Sequence, residues 1–198
     1  MLSHYQKAYF LLSVANVKQL PPDQGIEVAI VGRSNAGKSS ILNRLTHNKA
    51  LARVSKTPGR TQMVNIFVLD EQRRLADLPG YGYAKVPLAA KLQWQKTVDA
   101  YIQERKSLKG MLLVMDIRHP LKELDWQLLD YCHHRNLPIH IILNKADKLS
   151  RSAVASTLQA VRAALTEYHN SVTFQCFSAL KGAGIKELQT LLDQWYEY

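Results

Sequence analysis

The segment Gly32–Ser39, GRSNAGKS, fits the pattern GxxxxGK[ST] and directly follows the apolar run EVAIV at Glu27–Val31. Glycines are needed there because the backbone must bend sharply and turn successive N–H groups toward phosphate oxygens. The helix expected to open at Gly37–Lys38 aims its positive end at the same charge. Gly32, Arg33, Ser34, Asn35, Ala36 and Gly37 would cradle the phosphates, with Ser40 beside them in the first helical turn. Lys38 would reach the β- and γ-phosphates and act in catalysis, and the Ser39 hydroxyl would take a place on Mg²⁺. This loop alone does not choose between ATP and GTP.

The next motifs do. Asp77–Gly80, DLPG, ends the run RRLADL. The Asp77 carboxylate can hold Mg²⁺, Leu78 and Pro79 complete the turn, and the Gly80 N–H can sense the γ-phosphate. Asn144–Asp147, NKAD, follows the run IHIIL. The Asp147 carboxylate can accept from the N1 and N2 hydrogens of guanine, a pattern that adenine does not offer. Asn144 can bind the base edge or brace the loop, the Lys145 stem can cover the ring, and Ala146 lies between them. Phe177, Ser178 and Ala179 close the last apolar run, where a backbone N–H can meet guanine O6. In this order, each at the C-terminal end of a strand, the motifs place one guanine nucleotide in the crevice of an open α/β sheet.

Strands and helices must deliver these loops. Apolar runs at Glu27–Val31, Val64–Leu69, Leu75–Leu78, Met111–Asp116, Ile139–Leu143 and Val172–Phe177 alternate with helical stretches at Lys38–Thr46, Ala89–Lys106, Leu121–Arg135, Ser152–Tyr168 and Ile185–Tyr196. Repeated strand–helix units predict a mostly parallel six-stranded sheet with helices on both faces. Residues 1–24 read as an N-terminal extension and 25–198 as a single GTPase domain. Within the extension, Tyr9–Pro22 could hold an edge strand and a connector.

GRSNAGKS, DLPG, NKAD and FSAL together resemble the small GTPase domain of the translation-factor-related class. The runs SKTPGRTQ (Ser55–Gln62), DLPGYGYAKVP (Asp77–Pro87) and DIRHPLKELD (Asp116–Asp125) resemble the EngB/YihA/YsxC family of bacterial GTPases, over about Gly25 to Trp195. The resemblance implies a P-loop GTPase fold and a cytoplasmic GTP-binding protein acting in assembly of the large ribosomal subunit. It also implies a need for the protein in normal cell division and septation. By the family pattern, Thr61 is the switch threonine that contacts Mg²⁺ and the γ-phosphate and serves catalysis. Gly59, Arg60, Gln62 and Met63 are then nucleotide-binding neighbours. Thr57 precedes Pro58 and is held extended, which suits a hinge.

Ras-like enzymes orient the attacking water with a Gln directly after DxxG, and here that position is Tyr81. Gln62 and His119 stay open as substitutes. Intrinsic hydrolysis is predicted to be no faster than ~10⁻⁴–10⁻³ s⁻¹. A ribosomal partner would complete the site, or K⁺ would, because Asn35 holds the loop position that binds K⁺ in related potassium-activated GTPases. Otherwise Asn35 only braces the loop.

Of 198 residues, 26 are Lys or Arg and 16 Asp or Glu, a net charge of +10 that suggests a polyanionic partner. From Val28 through Leu69 there is no acidic residue, while Arg33, Lys38, Arg44, Lys49, Arg53, Lys56 and Arg60 fall there. A nucleotide-gated RNA-docking surface is expected, against the alternative of a solvated face. A second basic stretch runs from Lys85 to Lys109. Tyr81 is expected to pack the second switch against the body, Tyr81 and Tyr83 stacking on RNA being the alternative. Trp94, Trp126 and Trp195 should pack on the sheet, and His133 and His134 lie at the surface. No apolar run approaches the roughly 20 residues of a membrane span. Met1–Phe10 is a poor signal peptide, and Cys132 and Cys176 read as buried reduced thiols. The chain is expected to be a cytoplasmic monomer. Two other classes compete. A nucleoside kinase is disfavoured by NKAD, and a GTP-regulated interaction module would act in cell division without turnover.

Overall fold

A computed structural model describes residues 4–52, 63–82, 88–168 and 171–198, the side chains of 88, 90 and 91 excepted. Seven strands form one sheet: β1 (Tyr9–Val14), β2 (Ile26–Gly32), β3 (Val64–Val68), β4 (Arg73–Asp77), β5 (Leu108–Asp116), β6 (Ile139–Asn144) and β7 (Val172–Cys176). Their order across the sheet is β1-β3-β4-β2-β5-β6-β7. The helices α1 (Lys38–Leu45), α2 (Leu88–Glu104), α3 (Glu123–His134), α4 (Arg151–Ala164) and α5 (Ile185–Tyr196) complete the fold.

The strand count corrects the expected six. The extra strand is β1, which pairs antiparallel with β3 and has one open edge, so most of its apolar side chains are exposed. It is the edge strand that the segment Tyr9–Pro22 could hold, left out of the count of six because YFLLSV lacks the alternation of a half-buried strand. Strand β3 is also antiparallel to β4, whereas β4, β2, β5, β6 and β7 run parallel.

Alternation along β2 builds both halves of the core. Ala29 and Val31 face a layer holding Val98, Tyr101, Leu128, Leu129 and Val161 from α2, α3 and α4. Val28 and Ile30 face Ile41, Leu42, Leu188 and Leu192 from α1 and α5. A strand buried on both faces reads as a continuous apolar run, and β5 and β6 show it. Trp94 and Trp126 pack on the first layer and Trp195 on the second, as expected. His133 and His134 are exposed. Cys132 is buried, and burial pushes its thiol up to about 12. Cys176 is only half-buried, because β7 is an edge strand.

The end of the sheet far from the loops is fastened by Glu27, which is fully buried. Its carboxylate accepts from the Tyr101 hydroxyl at 2.8 Å, Arg105 Nε at 2.9 Å and Arg74 Nη1 at 3.1 Å. The same arginines donate to the Pro21 and Pro22 carbonyls, each at 2.9 Å, tying the N-terminal connector to β2, β4 and α2. Among the described residues, no helix is long and apolar enough to cross a membrane.

Candidate functional site

The chemistry-bearing loops leave the C-terminal ends of β2, β4, β6 and β7 and meet over the sheet. The loop after β2 turns into α1 through Gly37, whose φ of 105° lies in the left-handed region. A Cβ there would also lie 2.2 Å from Asn144 Nδ2, so glycine is required on two counts. Asn144 is almost fully buried and clamps three loops. Its Nδ2 donates to the Ala36 carbonyl at 2.9 Å, and its Oδ1 accepts from the Ala179 N–H at 3.1 Å. Of the two roles open to Asn144 in the sequence, this geometry is that of a brace.

The Lys145 ammonium donates to the Asn35 carbonyl at 2.6 Å, laying its stem between the NKAD loop and the phosphate loop. The Ser178 hydroxyl donates to Asp147 Oδ1 at 2.6 Å. That bond, outweighing burial, holds the Asp147 carboxyl below its ordinary range. An ionised carboxylate is what the N1 and N2 hydrogens of guanine require. Ala146 N–H donates to the Phe177 carbonyl at 3.0 Å, joining the NKAD and FSAL loops. Arg44 of α1 donates to the Ala179 and Leu180 carbonyls at 2.9 and 2.6 Å. One cation of the acid-free segment is thus spent inside the site.

Asp77 ends β4 with its Oδ1 buried and without a hydrogen-bond donor. Lys38 Nζ lies 3.9 Å from that oxygen. Burial pushes the Asp77 carboxyl up, with Lys38 and Asn65 pulling the other way. A buried carboxylate oxygen lacking a donor, with the Ser39 hydroxyl in the adjoining helical turn, is a hard-oxygen set that suits Mg²⁺. The DLPG turn approaches the same point, since a Cβ on Gly80 would lie 3.1 Å from Lys38 Nζ.

Tyr81 follows directly and is buried. Its carbonyl accepts from the Ser34 N–H at 2.7 Å, and its N–H donates to the Gly32 carbonyl at 3.3 Å. Its hydroxyl donates to Asp125 of α3. Its ring lies 5.0 Å from that of Trp94, whose Nε1 donates to the Pro79 carbonyl at 2.6 Å. Tyr81 therefore packs against the body, as expected. Gly59, Arg60, Thr61 and Gln62 lie outside the described residues, as do Arg53, Lys56, Thr57, Tyr83 and Lys85; Met63 is exposed just ahead of β3.

Sequence reasoning missed Asp116 at the end of β5. It accepts from Arg118 Nε at 2.9 Å and Nη2 at 2.7 Å, and it lies 3.0 Å from Lys145 Nζ. Burial raises its pKa, yet Arg118 and Lys145 hold the carboxyl well below its ordinary range. DIRHPLKELD held the signal, but nothing in it names Lys145 as the third partner.

The family model described as 50S ribosome-binding GTPase matches residues 27–145, and that of the elongation factor Tu GTP binding domain matches 96–198. A protein of Coxiella burnetii (strain CbuG_Q212) named "Probable GTP-binding protein EngB" is 53% identical over 192 residues, covering 97% of this chain and 94% of its own. The chain belongs to the EngB family of GTP-binding proteins. The EngB protein of Pseudoalteromonas atlantica is likewise 53% identical over 197 residues, covering 100% of this chain and 96% of its own. A crystal structure of a probable GTP-binding protein engB superposes with a TM-score of 0.70 at 21% identity, covering 86% of this chain and 98% of that one. Aquifex aeolicus Era bound to GDP·AlF4⁻ gives 0.67 at 22% identity over 87% of this chain and 57% of its own. These structures show the fold, an α/β P-loop GTPase. The EngB family membership makes the chain a GTP-binding, GTP-hydrolysing protein.

Proposed function

We propose that this EngB-family GTPase is a cytoplasmic, nucleotide-dependent switch in assembly of the large ribosomal subunit, needed for normal cell division and septation. The observation that carries the nucleotide part is the convergence of the NKAD, FSAL and phosphate loops through Asn144 and Lys145. Asp147 reads guanine, the backbone from Gly32 to Gly37 cradles the phosphates, and Lys38 neutralises their charge. Ser39, Thr61 and Asp77 would hold Mg²⁺, which supplies electrostatic stabilisation of the phosphate charge when bound. Gly80 reports the γ-phosphate to the segment that follows it.

Hydrolysis is slow in the free protein. The residue at the water-orienting position is Tyr81, and its hydroxyl is engaged by Asp125. A ribosomal particle, or K⁺ at Asn35, would complete the site. The ribosomal part is supported by cations that no carboxylate neutralises. Among the described residues, Lys49, Lys96, Lys106 and Lys109 are exposed and have no ion pair.

The test is GTP turnover by the purified chain alone and with large-subunit particles, each in KCl and NaCl. Stimulation by particles, together with association that weakens as salt rises, is expected. Equal rates in the two salts would remove the K⁺ role. Absence of turnover even with particles would favour an interaction module acting directly in cell division.

A further inference from the structure

Arg44, in the last turn of α1, belongs to the acid-free segment, yet it is turned onto the loop after β7. Its Nε donates to the Ala179 carbonyl at 2.9 Å and its Nη2 to the Leu180 carbonyl at 2.6 Å. The guanidinium also lies against Gly182, where a Cβ would stand 3.7 Å from its Cζ. Among the described residues, no carboxylate lies within ion-pair distance of it. Its charge therefore falls on two consecutive peptide oxygens.

The rest of that loop is closed on itself. The Ser178 N–H donates to the Ala183 carbonyl at 3.0 Å, and the Gly182 N–H to the Ser178 carbonyl at 2.7 Å. The Lys181 N–H donates to the Ser178 hydroxyl at 3.1 Å, and the Ala179 N–H to Asn144 Oδ1 at 3.1 Å. From Ser178 to Gly182, only the Leu180 N–H has no partner among the described residues. That N–H belongs to the same peptide group as the Ala179 carbonyl. A trans peptide is planar, with its oxygen and hydrogen on opposite sides. By gripping the oxygen, Arg44 fixes the direction of the hydrogen. Its second bond holds the next peptide as well, so the group cannot turn independently. A cation on the oxygen also polarises the amide and makes its N–H a stronger donor.

We propose that Arg44 is a positioning residue for base recognition, holding the Ala179–Leu180 peptide so that its N–H meets the purine 6-oxygen. The inference rests on the guanine reading of the NKAD and FSAL loops. Helix α1 is eight residues long, with the phosphate loop at its start and this guanidinium in its last turn. One rigid element thus grips both ends of the nucleotide. Among the described residues, Arg44 makes no hydrogen bond to Asp147, so its removal should be felt at the 6-position and not at the 2-amino group.

The experiment measures the affinities of GDP, 6-thio-GDP and inosine diphosphate, by competition against a fluorescent GDP analogue, for the wild-type chain and Arg44→Met. The thio compound keeps the N1 and N2 hydrogens but offers sulfur, a weaker acceptor, at the 6-position. Inosine diphosphate keeps the 6-oxygen and lacks the 2-amino group. In Arg44→Met, GDP binding should weaken about two- to tenfold, the size of one net hydrogen bond. The preference for GDP over 6-thio-GDP should shrink, since the thio compound has less to lose. The preference for GDP over inosine diphosphate should stay within about twofold of wild type, because separate contacts add independently. Arg44→Lys keeps the charge without the fork and should lie between the two. It carries the same comparison if Arg44→Met does not fold. Equal weakening of all three ligands would make Arg44 a structural tie and overturn the inference, and unchanged affinities would overturn it as well. Wild type that binds ADP as tightly as GDP would instead end the guanine reading itself.

Discussion

Replacing Asn144 by alanine should uncouple the guanine loops from the phosphate loop. The side chain is 2% exposed and makes two bonds, to the Ala36 carbonyl at 2.9 Å and from the Ala179 N–H at 3.1 Å. Removing it leaves both backbone partners without their protein bond, at about 1–3 kcal/mol each, or ~2–6 kcal/mol together if no water fully replaces the amide. For a domain of this size, 1 kcal/mol moves Tm by about 2–4 °C, so the nucleotide-free protein should melt ~4–24 °C lower. The two partners also set the loops that grip nucleotide. GDP affinity should therefore fall by more than tenfold, because each loop must be reordered on binding. Asn144→Asp separates the two bonds. It keeps an acceptor for Ala179 but places a carboxylate oxygen against the Ala36 carbonyl, so it should cost at least as much as alanine. Thermal melts of the nucleotide-free chain and titration with a fluorescent GDP analogue read the two quantities. Unchanged Tm and GDP affinity in Asn144→Ala would refute the clamp.

Other consequences can be measured in the same preparations. On the proposed reading, Asp147→Asn removes the acceptor for guanine N1 and N2. At about 1.5–3 kcal/mol per bond to a charged group, GDP affinity should fall by ~10²–10⁴, and xanthosine diphosphate should now bind better than GDP. Glu27→Ala leaves Arg105 and Arg74 without their buried carboxylate and should cost about 3–5 kcal/mol of stability in urea melts. The same variant should leave GDP affinity within twofold of wild type, since Glu27 sits at the far end of β2 from the site. His140 on β6 is buried between Thr173 and Gln175, and burial lowers its pKa from 6.5 to about 4. The folded state thus holds His140 neutral while the unfolded chain binds a proton. Its contribution is complete above pH 6.5 and is lost as pH falls toward 4, by ~3 kcal/mol at 1.36 kcal/mol per unit. His140→Gln should flatten that part of the stability–pH curve.

The parts of the fold legible in sequence were those governed by near neighbours. Runs such as MLLVMD and IHIIL announce strands buried on both faces, because no polar alternation is needed there, and β5 and β6 occupy those positions. Helix α1 begins at Lys38, where the glycine and the phosphate pattern require it. β1 escaped the count for the opposite reason. Its residues Tyr9, Phe10 and Leu11 are 54, 50 and 41% exposed, so burial imposes no period on them. Only its antiparallel pairing with β3, from Tyr9 opposite Val68 to Val14 opposite Val64, makes the segment a strand.

The site divides in the same way. Each loop could be recognised alone, since the bend, the lysine and the carboxylate are local requirements of phosphate and guanine. What joins the loops could not be recognised, because every joining bond crosses the sheet order rather than the chain. Asn144 reaches Ala36 only because β6 lies two strands from β2 with β5 between them. Asp116 reaches Lys145 because β5 and β6 end in register, Asp116 opposite Asn144. Tyr81 reaches Asp125 because β4 sits beside β2 while α3 follows β5 on the other side. Side chains at strand ends are thus read from sequence for their chemistry and from topology for their partners. The partner decides the role: Asn144, free in sequence to bind base or brace loop, is committed to the brace by two backbone bonds that use both ends of its amide.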